Sequence, residues 1–278
     1  MTAHSIIATV FSIISSAALC LHAGEELAVD GSTTVGPIAK AFAEYLMSQN
    51  PALRISVSES GSGNGAKSLI NGACQVATMS RPMKAQETLA AQTKSVRPVA
   101  HIVAMDALPV IVHPSNPIKE LTLEQVRDIY FGRINNWQFL GGPNQRIVRI
   151  SRDTNSGTYE CFEEMVMKKT RLASNVEYVG SNGAVRQRVM STPAAIGYAG
   201  LGFVNASVKA VPINGVMPSA ATVLDNSYPL ARPLYMYTNG EPASNSLAFT
   251  FINFCNTPKG RELIEAVGFV AVPVDAQQ

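Results

Sequence analysis

The chain has 278 residues, which is enough for one large domain or two of ordinary size. Hydrophobic residues make up 46% and charged residues 15% of the sequence, a composition that excludes an intrinsically disordered chain. The net charge is only +2 and no window clusters Lys and Arg, so we expect no nucleic-acid partner.

The first 23 residues predict a secretory signal peptide. No charged residue precedes Glu25, and the apolar centre from Ile6 to Leu21 is short for a membrane span and is followed by small residues. The segment before this centre has no Lys or Arg, which leaves a short N-terminal anchor as the alternative. Lipidation at Cys20 is disfavoured because Leu19 stands where a small residue is needed. We therefore expect a periplasmic or secreted protein without residues 1–23.

Removal of the signal would leave three cysteines, Cys74, Cys161 and Cys255, each in a segment that predicts a helix. The sequence contains no CxxC motif and no Cys/His spacing of the kind that binds a metal. We expect buried free thiols, and the alternative is one disulfide with one spare thiol.

The first part of the chain alternates short strands with helices. Leu27–Val29 predicts a strand, and after the turn DGSTTVG an apolar stripe that includes Ile38 and Phe42 predicts a helix. The strand LRISVSES, the turn ESGSGNGAK and a helix over Ala66–Asn71 follow, and then the short strand QVATMS. This repeat of strand, glycine- and serine-rich turn and helix predicts an α/β fold.

A β-rich passage, PVAHIVAMDALPVIV, has no turn signal and predicts a crossing between two lobes. Beyond it, Thr122 and Gly132 are suited to begin and end a helix, and the strand QRIVRIS leads into the turn RDTNSGTYE and another helix.

The C-terminal part has the strand RPLYMYTN and two helices but no further turn of this composition, so we expect it to complete the first lobe. The predicted boundaries place residues 24–105 and 206–278 in lobe I and residues 106–205 in lobe II. A cleft between two lobes is a common place for a small ligand.

The three turns DGSTTVG, ESGSGNGAK and RDTNSGTYE share a composition that suits an oxyanion. Each opens a helix, whose N-terminus exposes unpaired N–H groups and the positive end of the helix dipole. Glycine allows close approach of the backbone, Ser and Thr add hydroxyl donors, and Arg152 adds a planar cation that can hold two oxygens. Simple N-capping is the alternative for each turn taken alone. Three such turns favour one shared site.

Enzymatic sites fit the sequence less well. A P-loop needs glycine where Ala66 stands and an Asp after the next strand, which QVATMSRP lacks. The spacing of Gly61-Ser62-Gly63-Asn64-Gly65 is wrong for a dinucleotide fold, and no GxSxG motif is present. Beyond the signal only His101 and His113 remain as histidine bases, and an isolated His is more often structural. We expect no catalysis, no metal and no cofactor.

Taken together, several segments in the same order resemble the phosphate-binding protein of the phosphate ABC transporter, and more closely its shorter bacterial relatives. The similarity extends from about Leu27 to Val272, and it is carried by DGSTTVGPIAKAFAEYL, SGSGNGAKSLINGACQVATMSRPM, DIYFGRINNWQFLGG, SRDTNSGTYECF, AIGYAG and YPLARPLYMY. The resemblance implies a two-lobed periplasmic-binding-protein fold of type II, with a ligand cleft between the lobes. It also implies a monomer that binds inorganic phosphate or a similar oxyanion and delivers it to an ABC permease.

The resemblance places six anion-binding positions in the same three turns, and they fall on Thr33, Ser62, Arg152, Ser156, Gly157 and Thr158. A seventh position follows the strand QVATM and falls on Ser80. The hydroxyls and backbone N–H groups would donate to the anion, and Arg152 would supply the charge.

One of these positions departs from the family. Well-known members have an Asp where Ser80 stands, and that Asp accepts a hydrogen bond from protonated phosphate, which sulfate cannot offer. A serine can donate to sulfate as well, so we expect relaxed selectivity between the two anions. Arg81, the next residue, is either a surface residue or one that lies between the lobes.

Trp137, the only tryptophan, is expected to pack under the glycine turn Gly141-Gly142 instead of stacking on a ligand. Two other functions stay open beside transport. One is a non-transport role on the same fold, in phosphate sensing, surface adhesion or assembly, which Ser80 motivates. The other is an enzyme that acts on phosphate esters.

Overall fold

The structure is a computed structural model that describes residues 26–272. The predicted signal peptide at residues 1–23, Cys20 within it, and the last residues assigned to lobe I lie outside this range. Within it, no helix combines the length and apolarity that a bilayer crossing requires.

The described chain alternates strands and helices along most of its length. The strands are β1 (Glu26–Gly31), β2 (Arg54–Ser58), β3 (Val76–Met79), β4 (Pro98–Ala107), β5 (Val110–Val112), β6 (Val148–Arg152), β7 (Val176–Val179), β8 (Ala195–Tyr198), β9 (Lys209–Val211) and β10 (Ala231–Asn239). The helices are α1 (Gly36–Gln49), α2 (Ser62–Ile70), α3 (Ala85–Thr93), α4 (Leu123–Phe131), α5 (Gly157–Phe162), α6 (Asn182–Met190), α7 (Ala220–Leu224), α8 (Leu247–Asn253) and α9 (Pro258–Ala266). A π-helical segment, Glu163–Met167, continues α5.

The strands form two sheets, each of which is the centre of one lobe. In lobe I the order is β2-β1-β3-β10-β4, with β1 parallel to β2 and β3, and β10 antiparallel to β3 and β4. In lobe II the order is β7-β6-β8-β5-β9, with β6 parallel to β7 and β8, and β5 antiparallel to β8 and β9. The predicted two-lobed α/β fold is confirmed, and β4 and β5 carry the chain from one sheet to the other.

The return to lobe I comes later than the sequence suggested. The prediction assigned all residues from 206 onward to lobe I, but β9 pairs with β5 in the second sheet through Val110 and Val211. Tyr228 and Leu230 also lie in the core of lobe II, so the boundary at 205/206 is wrong and the chain returns at β10. β5 is buried and needs a hydrogen-bonding partner on both sides, which local sequence patterns do not reveal.

Several predicted helix ends are confirmed by their caps. Thr122 Oγ1 accepts a hydrogen bond from the Gln125 N–H at 3.0 Å, and Gly132 ends α4 with a φ of +100°. Other elements differ from the prediction. Helix α2 begins at Ser62, four residues before the predicted start at Ala66, because the glycine-rich segment itself is helical.

The three cysteines within residues 26–272, Cys74, Cys161 and Cys255, are free and buried. Cys161 lies in α5 as predicted, whereas Cys255 lies in a short 3-10 helix and Cys74 lies in the turn before β3, where a helix was predicted. Burial raises the pKa of Cys74 to about 12 and that of Cys255 to about 11, so both thiols stay protonated near neutral pH.

Trp137 is fully buried in the core of lobe II. Its Nε1 donates to the Ala194 carbonyl at 2.9 Å, and its own carbonyl accepts from the Gly142 N–H at 3.0 Å. Gly141 turns the chain with a φ of +80°. The prediction that Trp137 packs under the glycine turn is confirmed.

We expect Trp137→Ala to lower the free energy of unfolding by about 3–5 kcal/mol, because it leaves a large cavity and an unpaired carbonyl. Urea unfolding followed by far-UV circular dichroism measures this, since the variant has no tryptophan fluorescence. Phe139→Ala is a matched control in the same short helix, where the ring is 65% exposed, and it should change stability by less than about 0.5 kcal/mol. Equal losses in the two variants would contradict the packing role.

Candidate anion-binding site

The turns singled out in the sequence meet between the two sheets. One follows β1 and leads to α1, one follows β2 and leads to α2, and one follows β6 and leads to α5. The residues predicted to bind an anion are all buried, and they are Thr33, Ser62, Ser80, Arg152, Ser156, Gly157 and Thr158. Their roles in binding are taken up below as a proposal.

Hydroxyl groups from the two lobes contact each other directly. Ser62 Oγ lies 3.3 Å from Ser80 Oγ, both in lobe I. Thr158 Oγ1, from lobe II, lies 3.5 Å from Ser80 Oγ and 2.8 Å from Thr34 Oγ1. The three turns therefore form one continuous cluster of hydroxyls, as the sequence suggested.

Glycine is required where the lobes approach most closely. A Cβ on Gly157 would clash with the hydroxyls of both Ser62 and Ser80. Nearby, the Gly63 N–H donates to the Asn155 carbonyl of the opposite lobe at 3.0 Å. The composition of these turns thus permits contact between backbones and hydroxyls that a larger side chain would prevent.

Arg152 is the buried cation of the site, with only 1% of its surface exposed. Its Nε donates to the Val179 carbonyl at 3.2 Å and its Nη2 donates to the Gly180 carbonyl at 2.8 Å. Its Nη1 is buried and has no hydrogen-bond partner among residues 26–272. Burial lowers the pKa of Arg152, an effect that Asp153 opposes. The guanidinium is therefore held in place on one side while its charge has no direct anionic partner among the described residues.

Two of the hydroxyls in these turns accept hydrogen bonds from the backbone. Ser156 Oγ accepts from the Tyr159 N–H at 3.2 Å, and Ser32 Oγ accepts from the Thr34 N–H at 3.1 Å. The capping interpretation is correct for Ser156, the N-cap of α5, whereas Ser32 lies in the turn before α1, whose N-cap Val35 has no side-chain hydrogen bond. Because each oxygen only accepts in these contacts, its hydroxyl proton can still be donated.

Sequence reasoning missed Asn182, which begins α6 in a fourth turn of the same kind. Its Nδ2 donates to Thr33 Oγ1 and to Thr34 Oγ1, both at 2.9 Å, and its Oδ1 accepts from the Gly200 N–H at 3.2 Å. The segment GSNGAVR after β7 has the same glycine and serine composition as the other turns. That signal could have identified this residue.

A fully buried ion pair also contacts the site, and no pattern in the sequence predicted it. Arg232 donates from Nε and Nη2 to Asp106 Oδ2 at 3.0 and 2.8 Å. Its Nη2 also lies 3.1 Å from Thr158 Oγ1. The second carboxylate oxygen of Asp106 accepts from the Leu201 N–H at 2.8 Å. The pair joins residues 126 positions apart, so only folding brings them together.

Arg81 lies between the lobes, which decides between the two roles left open for it. Two of its nitrogens donate to the carboxylate of Glu87, both at 2.7 Å, and it forms an ion pair with Glu160 of α5 in lobe II. Lys84 Nζ contacts the same Glu160 carboxylate at 2.9 Å. Arg81 is thus a buried link between the lobes whose charge is met by two carboxylates.

The part of the chain that the structure describes has no group of three or more His, Cys, Asp or Glu side chains that could hold a metal ion. The site consists instead of hydroxyls, amide groups and guanidinium groups. This donor set suits an anion more than a metal cation, which needs acceptor ligands.

Comparison with known proteins identifies the family of this chain. A family model described as the PBP superfamily domain matches residues 21–258. Protein SphX of Synechococcus elongatus is 34% identical over 263 residues, covering 89% of this chain and 77% of the relative. The phosphate-binding protein PstS of Staphylococcus saprophyticus is 32% identical over 260 residues, covering 89% of this chain and 81% of the relative.

The fold comparison extends this relationship to a solved structure. A Clostridium perfringens protein, assigned as a phosphate ABC transporter substrate-binding protein and crystallised with bound phosphate, superposes with a TM-score of 0.82. It is 32% identical in sequence, and the match covers 90% of this chain and all of that one. The chain therefore belongs to the PBP superfamily and, within it, to the family of the PstS phosphate-binding proteins.

Proposed function

We propose that this protein captures inorganic phosphate between its lobes and delivers it to an ABC permease. One observation carries the proposal: hydroxyl donors from both lobes meet in one buried cluster, and Arg152, which opens one of the three turns, is a buried guanidinium whose Nη1 has no partner among residues 26–272. Relatives named as PstS phosphate-binding proteins, and the C. perfringens structure with its bound phosphate, support the choice of anion. These names also favour transport over a non-transport role.

The chemistry of the proposed site favours a small oxyanion with several acceptor oxygens. Arg152 and the backbone N–H groups can only donate hydrogen bonds, and the hydroxyls of Ser62, Ser80 and Thr158 can each donate one. The N-termini of α2 and α6 add the positive ends of their helix dipoles. A bound phosphate would satisfy Nη1 of Arg152 and offset the desolvation of its charge.

We propose binding without catalysis. His101 Nε2 contacts Thr238 Oγ1 at 2.8 Å and His113 Nδ1 contacts Ser115 Oγ at 2.7 Å, so the two described histidines hydrogen-bond outside the hydroxyl cluster. A base beside a nucleophile, which hydrolysis of a phosphate ester would need, is not formed by these contacts.

We also propose that the protein acts outside the cytoplasm as a monomer. The support is the apolar, uncharged sequence of residues 1–23, which has the features of a signal peptide. Delivery to a permease requires that the lobes open again after capture, and contacts that only the closed arrangement makes would set the balance between the two states.

Isothermal titration of the purified protein with phosphate and with sulfate tests the proposal. We expect binding of phosphate, and we expect Arg152→Ala to lose at least about 2 kcal/mol of binding free energy, or roughly 30-fold in affinity. The reason is that the variant removes the only site cation whose charge is not already paired with a carboxylate among the described residues.

Arg188→Ala is the matched control. Arg188 also lies in lobe II, but its side chain is 41% exposed and pairs with Glu177. Its removal should leave phosphate affinity unchanged, and circular dichroism should show that both variants are folded. No heat with either anion in the wild type would reject the proposal, and full affinity in Arg152→Ala would remove that residue from the site.

A second prediction concerns the choice of anion. Because the Ser80 hydroxyl can both donate and accept, we expect the wild type to bind sulfate as well as phosphate. Ser80→Asp should raise the preference for phosphate by at least about tenfold, or 1.4 kcal/mol, since a carboxylate accepts from protonated phosphate but repels sulfate. Since both the monoanion and the dianion of phosphate carry a proton, this preference should persist on either side of neutral pH.

Competition titrations at two pH values measure both effects. Ser80→Asn is the matched control, because its neutral amide can donate and accept and so should not discriminate between the anions. An unchanged ratio of phosphate to sulfate affinity in Ser80→Asp would show that position 80 does not contact the anion.

A further inference from the structure

We infer that Arg232 is a positioning residue of this site: held by Asp106, it fixes the Thr158 hydroxyl as a proton donor to the bound anion. The inference rests on the proposed function, because it assigns how one donor of that site is oriented. Neither Arg232 nor Asp106 is among the site residues predicted from the sequence.

The Arg232–Asp106 pair lies on the strands that connect the two lobes and faces the site. Arg232 and Asp106 are direct neighbours in the ladder of β10 and β4, the two strands at which the chain leaves and re-enters lobe I. The two side chains are 4% and 0% exposed. From this anchored position Arg232 reaches across to Thr158, the second residue of α5 in lobe II.

The direction of each hydrogen bond follows from what each group can do. A hydroxyl has one proton and two lone pairs, and Arg232 Nη2 can only donate, so it occupies one lone pair of Thr158 Oγ1 at 3.1 Å. That oxygen also contacts Thr34 Oγ1 at 2.8 Å and, at the longer distance of 3.5 Å, Ser80 Oγ. The Gly200 N–H donates to Asn182 Oδ1, which identifies the oxygen of that amide. The other amide atom, Asn182 Nδ2, therefore faces Thr34 and donates to its Oγ1.

These contacts limit how the chain of hydroxyls can be oriented. Asn182 fills one lone pair of Thr34, and Arg232 fills one lone pair of Thr158. Either hydroxyl can donate in the contact between Thr34 and Thr158, and an anion that accepts the one proton of Thr158 selects the arrangement in which Thr34 donates to Thr158. Asn182 Nδ2 and Arg232 Nη2 can only donate, so they are compatible with this arrangement, in which the chain presents a proton to an anion.

The charge of Arg232 is already compensated. Two of its nitrogens donate to Asp106, whereas Arg152 has only neutral carbonyls as hydrogen-bond partners among residues 26–272. Arg232 therefore acts on the anion through Thr158 and not as a second free cation. This distinction gives the inference a specific test.

The test is a double-mutant cycle on phosphate affinity, measured by isothermal titration. One change is Asp106→Asn together with Arg232→Met, which removes both charges so that no buried carboxylate is left unpaired. The other change is Thr158→Val. We expect each to lower phosphate affinity by about tenfold or more, and we expect removal of the pair to cost less than about twofold in the Thr158→Val background.

Arg149→Met is the control for a purely structural role. Arg149 is 1% exposed in the same lobe and donates to the carbonyls of Ile129 and Ile134, away from the hydroxyl cluster. This variant should lower the melting temperature but bind phosphate within about twofold of the wild type. A difference in affinity between the two sets of variants therefore reports on positioning and not on stability.

Two results would overturn the inference: wild-type affinity after removal of the pair, or an equal loss with and without the Thr158 hydroxyl. If the paired variant does not fold, Arg232→Lys keeps the charge beside Asp106 but has no planar fork to reach Thr158 as well. It should show the same loss and the same non-additivity, and wild-type affinity in it would also overturn the inference. A wild type that binds no phosphate would reject the proposed function itself, whereas additive losses would reject only the positioning role.

Discussion

The rest of the site depends on the burial of one guanidinium, that of Arg152, whose charge must be compensated by other groups. Removing a cation from water is costly unless other groups replace its hydration, and the Val179 and Gly180 carbonyls do so on one side only. The hydroxyls and helix N-termini of the three turns add hydrogen-bond donors and not a compensating negative charge. A site of this kind is complete when a small anion supplies the missing acceptors.

The two lobes are brought together by contacts of different strength. Gly157 lets the hydroxyl clusters of the two sides touch, and these contacts are fully buried. The ion pairs of Arg81, Glu160 and Lys84 add a second link, in which Arg81 is buried but Lys84 is half exposed. Since exposed pairs contribute little, we attribute most of the electrostatic part of this link to Arg81.

Two arginines of the candidate site have different partners, and we propose that they perform different tasks. Arg152 has carbonyl partners and would keep its charge for a ligand, whereas Arg232 is paired with Asp106 and would direct the hydroxyl of Thr158. The residue type alone does not separate these roles. The same guanidinium group is given a specific role by the acceptors that surround it.

The sequence by itself determined the features that depend on neighbouring residues: the α/β alternation, the caps of α4 at Thr122 and Gly132, and the glycine- and serine-rich turns that hold the candidate site. Composition and periodicity encode such elements directly, and the resemblance to a known family identified the residues within them. The tertiary structure decided what depends on distant residues. It placed β9 in lobe II, and it joined Asp106 to Arg232 across 126 positions. Strand pairing and buried ion pairs depend on which distant residues the folded chain brings into contact. No local pattern in the sequence shows these contacts.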